Sequence, residues 1–260
     1  MKDLSEQPNV KRITMTQSTA AEALDTPAEL VPADSLFAKL RAGAASDWAA
    51  YTRHDFVRQL GAGNLPEACF RHYLVQDYIF LKHFSRAYAL AVYKSEELDD
   101  MRQAAGTMSA LLNEEMSLHL RYCAGWGLDE AAMLATEEAP QNMAYTRFVL
   151  ERGLAGDLLD LLVALAPCVV GYAEIGLWLK ADPQTRRESN PYDDWIETYS
   201  GEDYQGVARA AIAQLDRVAE RRLGADPASR WTSLQSTFRA ATRLEVGFWD
   251  MGLTPPADTA

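Results

Sequence analysis

An apolar repeat at helical spacing runs through nearly the whole chain, and no segment alternates at the two-residue period of a strand. Asp34-Ser35 supplies a helix cap, and one helix is expected to run on from it through Leu36, Leu40 and Trp48. The Gly61-to-Leu65 stretch reads as a loop, after which Pro66 takes the first helical position. Phe70, Tyr73, Leu74, Asp77, Phe80, Leu81 and Phe84 then recur on helical spacing. Further helices are predicted over 95–122, from Pro140 to near Gly153, and from about Asp157 to Lys180. A two-proline loop over 182–192 precedes a short helix at 195–199 and two long ones over 203–222 and 228–250. The expectation is a single all-α helical bundle over 34–252, with a disordered lead-in at 1–33 and a tail at 253–260. Its wide apolar faces favour a further buried interface between subunits.

Charge narrows the function classes. The chain has 37 acidic against 25 basic side chains, a formal net charge of −12. Arg186–Arg187 and Arg221–Arg222 are isolated pairs rather than a basic patch, so neither nucleic acid nor an anionic membrane surface is an expected partner. The most apolar stretch, Leu158–Val170, is interrupted by Asp160 and Pro167 and is too short to span a bilayer. Three scattered cysteines suit a reducing compartment, and the first 31 residues carry no apolar signal core; the expected location is cytoplasmic.

Ionisable residues inside apolar helical stretches are the candidates for chemistry, because burial without a partner is costly. Asp77, Asp160, Glu174 and Glu245 meet that condition. Asp160 follows Gly156-Asp157 at a helix start, where the helix dipole accounts for it. Glu174 divides between a structural hydrogen bond and a site role. Asp77 and Glu245 sit mid-helix among aromatics, with no opposite charge three or four residues away. Each is either satisfied by a tyrosine hydroxyl or a participant in catalysis. Cys168 follows Pro167 inside the most apolar helix, with Tyr172 one turn on; it reads as a small buried hydrophobe or as a nucleophile beside a broken backbone bond. No histidine has a glutamate three residues before it, as a bundle di-iron site requires. Glu115 and His119, four apart, offer one ligand pair for an iron-dependent oxidase, though a solvated surface pair explains them as well. No metal or other cofactor is expected.

Five blocks, in order, carry a resemblance. FVRQLGAGNLPEACFRHYLVQDYIFLKHFSRAYA, LLNEEMSLH, APCVVGYAEIG, WIETYSG and RLEVGFWDM resemble the conserved segments of the thiaminase II (TenA) family, across about Leu36 to Gly252. The resemblance implies a heme-oxygenase-like helical fold without haem, assembled as a homotetramer. It implies hydrolysis at the methylene carbon of a 4-amino-2-methylpyrimidine, releasing an amine, or the thiazolium of thiamin, and leaving the hydroxymethyl pyrimidine. It makes Cys168 the nucleophile, Glu245 the acid/base and Asp77 the pyrimidine-binding carboxylate. Tyr145, Tyr172 and Tyr199 become pocket tyrosines. Phe80 stands where the family often has a tyrosine that tunes the cysteine, a departure that raises the alternative of a non-catalytic pyrimidine-binding or regulatory protein.

Overall fold

The computed structural model describes residues 30–224 and 228–256. Most of the expected lead-in (residues 1–29) and the end of the tail (257–260) lie outside the described residues. Among the described residues the chain is helical throughout, without a strand.

Ser35 caps α1 (Leu36–Ala42) with its hydroxyl, as expected. The helix nevertheless stops at Gly43, and α2 (Ala45–Thr52) carries Trp48. A Cβ at position 43 would fall 2.3 Å from the Gln235 side chain, so the break lies where the last long helix presses on the backbone. The expected loop at Gly61 begins later. Gly61 and Ala62 end α3 (Asp55–Ala62), and Gly63, at φ +68°, provides its left-handed cap. Pro66 caps rather than begins α4 (Glu67–Lys94).

The predicted helix over 95–122 is three pieces: α5 (Leu98–Ala110), a π-helical turn (Leu111–Glu115) and α6 (Met116–Ala124). A short α7 (Glu130–Ala135) follows, then α8 (Pro140–Ala155). Next come α9 (Leu158–Ala181), α10 (Asp193–Ser200), α11 (Glu202–Leu223) and α12 (Ala228–Leu253).

α9 is the central pillar, touched by α2, α4, α8, α10, α11 and α12. Apolar on every side, it is stable only when covered on every side. It is in fact long and apolar enough to cross a membrane by length and composition, but 89% of its most apolar window is buried inside the fold. Asp157 and Asp160 close a reciprocal capping box at its start, which accounts for Asp160 as a cap. Glu174 is structural: it receives Arg41 Nη1 at 2.7 Å and Trp48 Nε1 at 3.0 Å, tying α9 to α1 and α2.

Candidate functional site

The aromatic faces of α4, α8, α9, α10 and α12 converge beside the middle of α9. On α12, the spacing of Glu245, Phe248 and Trp249 puts all three on one buried face. On α4, Tyr73, Asp77, Phe80 and Phe84 form the facing stripe. Tyr145 on α8 donates its hydroxyl to Glu245 Oε1 at 2.8 Å. Phe80 packs against Tyr145, Phe84 and Phe248, with centroids 5.0–5.5 Å apart. Tyr172 on α9 meets Tyr199 on α10 edge to face at 4.9 Å.

Cys168 is half-buried, whereas the residues on either side of it along α9 are buried. It interacts directly with Glu245 and feels the charges of Asp77 and Glu115. Burial, then Glu245, Asp77 and Glu115, push its thiol well above the ordinary range. Glu245 is pushed up to about 8 by burial, against the hydrogen bond from Tyr145, with the charge of Asp77 adding to the rise. At neutral pH the resting pair therefore holds both protons, one on sulfur and one on the carboxyl.

A second polar chain runs from Asp77 towards an open cleft. Tyr73 bonds Asp77 Oδ2 and the Tyr172 hydroxyl, each at 3.4 Å, and accepts Trp195 Nε1 at 3.3 Å. His119 Nε2 lies 2.7 Å from the same Asp77 oxygen, and its Nδ1 is 2.9 Å from the Glu115 carbonyl. The Tyr199 hydroxyl donates to Glu115 Oε1 at 3.2 Å. Burial raises Glu115 to about 7; the charge of His119 opposes that rise, and the charge of Asp77 adds to it. Glu115 and Tyr199 also line an open cleft of about 530 Å³ between the π turn and the start of α11, together with Leu111, Tyr204 and Val207. The two residues thus belong both to the cleft and to the chain that ends at Asp77.

All seven site residues read from the sequence fall within this one network. Glu115 and His119 are the correction. They are not a solvated surface pair: His119 is buried and both of its ring nitrogens are engaged. Tyr73, Trp195 and Tyr204 also belong here, and in sequence they carry no signal beyond the periodicity of any core aromatic. Among the described residues no group of three or more His, Cys, Asp or Glu side chains is arranged to hold a metal ion.

The model of the TENA/THI-4/PQQC family matches residues 42–254. The chain belongs to that family. A TENA/THI-4/PQQC relative from Silicibacter sp. TM1040, described as a TenA family transcription regulator, has a crystal structure that superposes with a TM-score of 0.80. That relative is 55% identical, over 84% of this chain and 96% of its own. An uncharacterized Haemophilus influenzae protein is 40% identical over 79% of this chain and 93% of its own length. The aminopyrimidine aminohydrolase of Halalkalibacterium halodurans is 34% identical over 78% of this chain and 89% of its own. The all-helical architecture expected from the sequence is therefore a TenA-like fold.

Proposed function

We propose that the chain hydrolyses an aminopyrimidine at its exocyclic methylene carbon, using Cys168 as nucleophile and Glu245 as acid and base. The observation that carries this reading is the pairing of a half-buried thiol with a carboxyl raised to about 8, inside a wall of tyrosines that also holds Asp77. Relatives described as aminopyrimidine aminohydrolases support it.

The chemistry uses these groups in order. Asp77 and the tyrosines hold the flat ring, with stacking contributing roughly 0.5–1.5 kcal/mol per aromatic pair. The protonated Glu245 gives its proton to a ring nitrogen, which makes the neighbouring ring carbon electrophilic. The resulting carboxylate draws the proton from Cys168, and the thiolate adds to that carbon. Electrons returning through the ring expel the amine, which leaves with the proton now on Glu245. Water then adds to the exocyclic methylene, giving one proton back to the carboxylate. The thiolate departs and takes up the ring-nitrogen proton, which regenerates the Cys168 thiol, and the hydroxymethyl pyrimidine is released. One water is consumed, one amine is released, and the protein returns to its starting state.

On the same reading the protein is a cytoplasmic homotetramer that works without a cofactor. Phe80, which has no hydroxyl to offer the thiol, motivates a second reading, in which the pocket binds a pyrimidine without turning it over. One assay separates the two. Incubation with 4-amino-5-aminomethyl-2-methylpyrimidine releases ammonia and the hydroxymethyl product on the first reading; binding without ammonia would establish the second. Thiamin, run in parallel, tests the alternative leaving group.

A further inference from the structure

We propose that His119 is a positioning residue for substrate recognition, an imidazolium that holds one oxygen of Asp77 and so presents the other to an N–H of the aminopyrimidine. The inference rests on the substrate class proposed above, but its structural half does not.

His119 Nδ1 lies 2.9 Å from the Glu115 backbone carbonyl, a group that only accepts, so Nδ1 carries a proton. Nε2 lies 2.7 Å from Asp77 Oδ2, and a contact that short needs a proton between the two atoms. A carboxyl is ordinarily the stronger acid of such a pair, so that second proton belongs to the ring, and His119 is doubly protonated. The charged groups facing the ring are Asp77 from α4 and Glu115 from its own segment. Burial works against a charged ring. The hydrogen bond and charge of Asp77, with Glu115 behind them, outweigh it and hold His119 above the ordinary histidine range.

The consequence falls on Asp77. Its Oδ2 receives both His119 and the more distant Tyr73 hydroxyl, while no hydrogen bond from the described residues reaches Oδ1. A carboxylate pinned at one oxygen cannot rotate, and its desolvation is offset by the cation beside it. The remaining oxygen is a fixed acceptor in the aromatic wall, the complement of an exocyclic amino group or a protonated ring nitrogen. The π turn is part of the device, because its last carbonyl fixes the ring from behind.

Two measurements test this. In the resting protein, with histidine 15N-labelled, His119 is expected to show two ring N–H signals near neutral pH, and Asp77→Asn is expected to remove the one on Nε2. A single N–H in the wild type would overturn the proposal. Calorimetric binding of 4-amino-5-hydroxymethyl-2-methylpyrimidine supplies the second readout. His119→Gln, which keeps a neutral donor near the Nε2 position, is expected to bind within about threefold of wild type. His119→Leu is expected to bind about 10- to 100-fold more weakly, the range for losing a hydrogen bond to a charged group. Wild-type affinity in a folded His119→Leu protein would overturn the role. A wild-type protein that fails to bind the pyrimidine would overturn the recognition role together with the proposed substrate, and the ring signals would show whether the ion pair itself survives.

Discussion

Glu245→Gln is expected to abolish turnover and, at alkaline pH, to stabilise the fold. Glu245 titrates near 4.5 when unperturbed and at about 8 in the folded protein. A carboxyl whose pKa rises on folding contributes stability that is fully present below the unfolded value and is lost as pH climbs through the folded one. At about 1.4 kcal/mol per pH unit, the wild type loses roughly 3 kcal/mol through this group between about pH 5.5 and 8.5. Glutamine has no proton to lose, and its carbonyl still accepts the Tyr145 hydroxyl that sits 2.8 Å from Glu245 Oε1. The variant should therefore lack that part of the slope. For a chain of this size, about 2–4 °C per kcal/mol makes the difference roughly 6–12 °C in Tm. Thermal melts of both proteins at the two pH values, at equal protein concentration, read it directly. Parallel pH profiles in the two proteins would refute the assignment of a raised, buried carboxyl to Glu245.

Other outcomes follow from the same geometry. Cys168→Ser should lower the rate of ammonia release by at least about a hundredfold while pyrimidine binding by calorimetry stays near wild type. Tyr145→Phe removes a hydrogen bond that holds the Glu245 pKa down, so the limb of the pH–rate profile belonging to Glu245 should move to higher pH. Gly176→Ala would place a Cβ 2.5 Å from the Tyr199 backbone carbon; about 1–3 kcal/mol of destabilisation and a lower kcat/KM are expected as α10 is pushed away, measurable by urea titration and steady-state kinetics. Glu174→Ala should cost about 1–3 kcal/mol by leaving the buried Trp48 Nε1 without its acceptor, with kcat of the folded protein unchanged.

How far the sequence could be read depended on distance along the chain. Helical spacing is local, and it located α4, α9 and α12; the Ser35 cap is equally local, whereas Asp157 marked only a helix start and its capping box with Asp160 shows in the structure. The break at Gly43 was hidden because its cause, Gln235, lies far along the chain and presses on the backbone from α12. The π turn was hidden for a different reason: LLNEEMSLH has an unremarkable helical pattern, and its altered register shows only in the backbone. Asp77 and Glu245 stood out as charges among aromatics. His119 did not, since a histidine four residues after a glutamate looks like an exposed pair until Asp77, 42 positions away, is seen to meet it. Tyr73 was likewise visible as a core aromatic but not as the hydroxyl joining Asp77 to Tyr172.

A crystal structure with 4-amino-5-hydroxymethyl-2-methylpyrimidine bound tests the central claim most directly. The account predicts the ring stacked among Tyr145, Tyr172 and Tyr199, with Asp77 Oδ1 on an N–H, the Glu245 carboxyl on a ring nitrogen and Cys168 Sγ facing a ring carbon. Density for the ligand in the outer cleft alone, with no contact to Cys168 or Glu245, would contradict it.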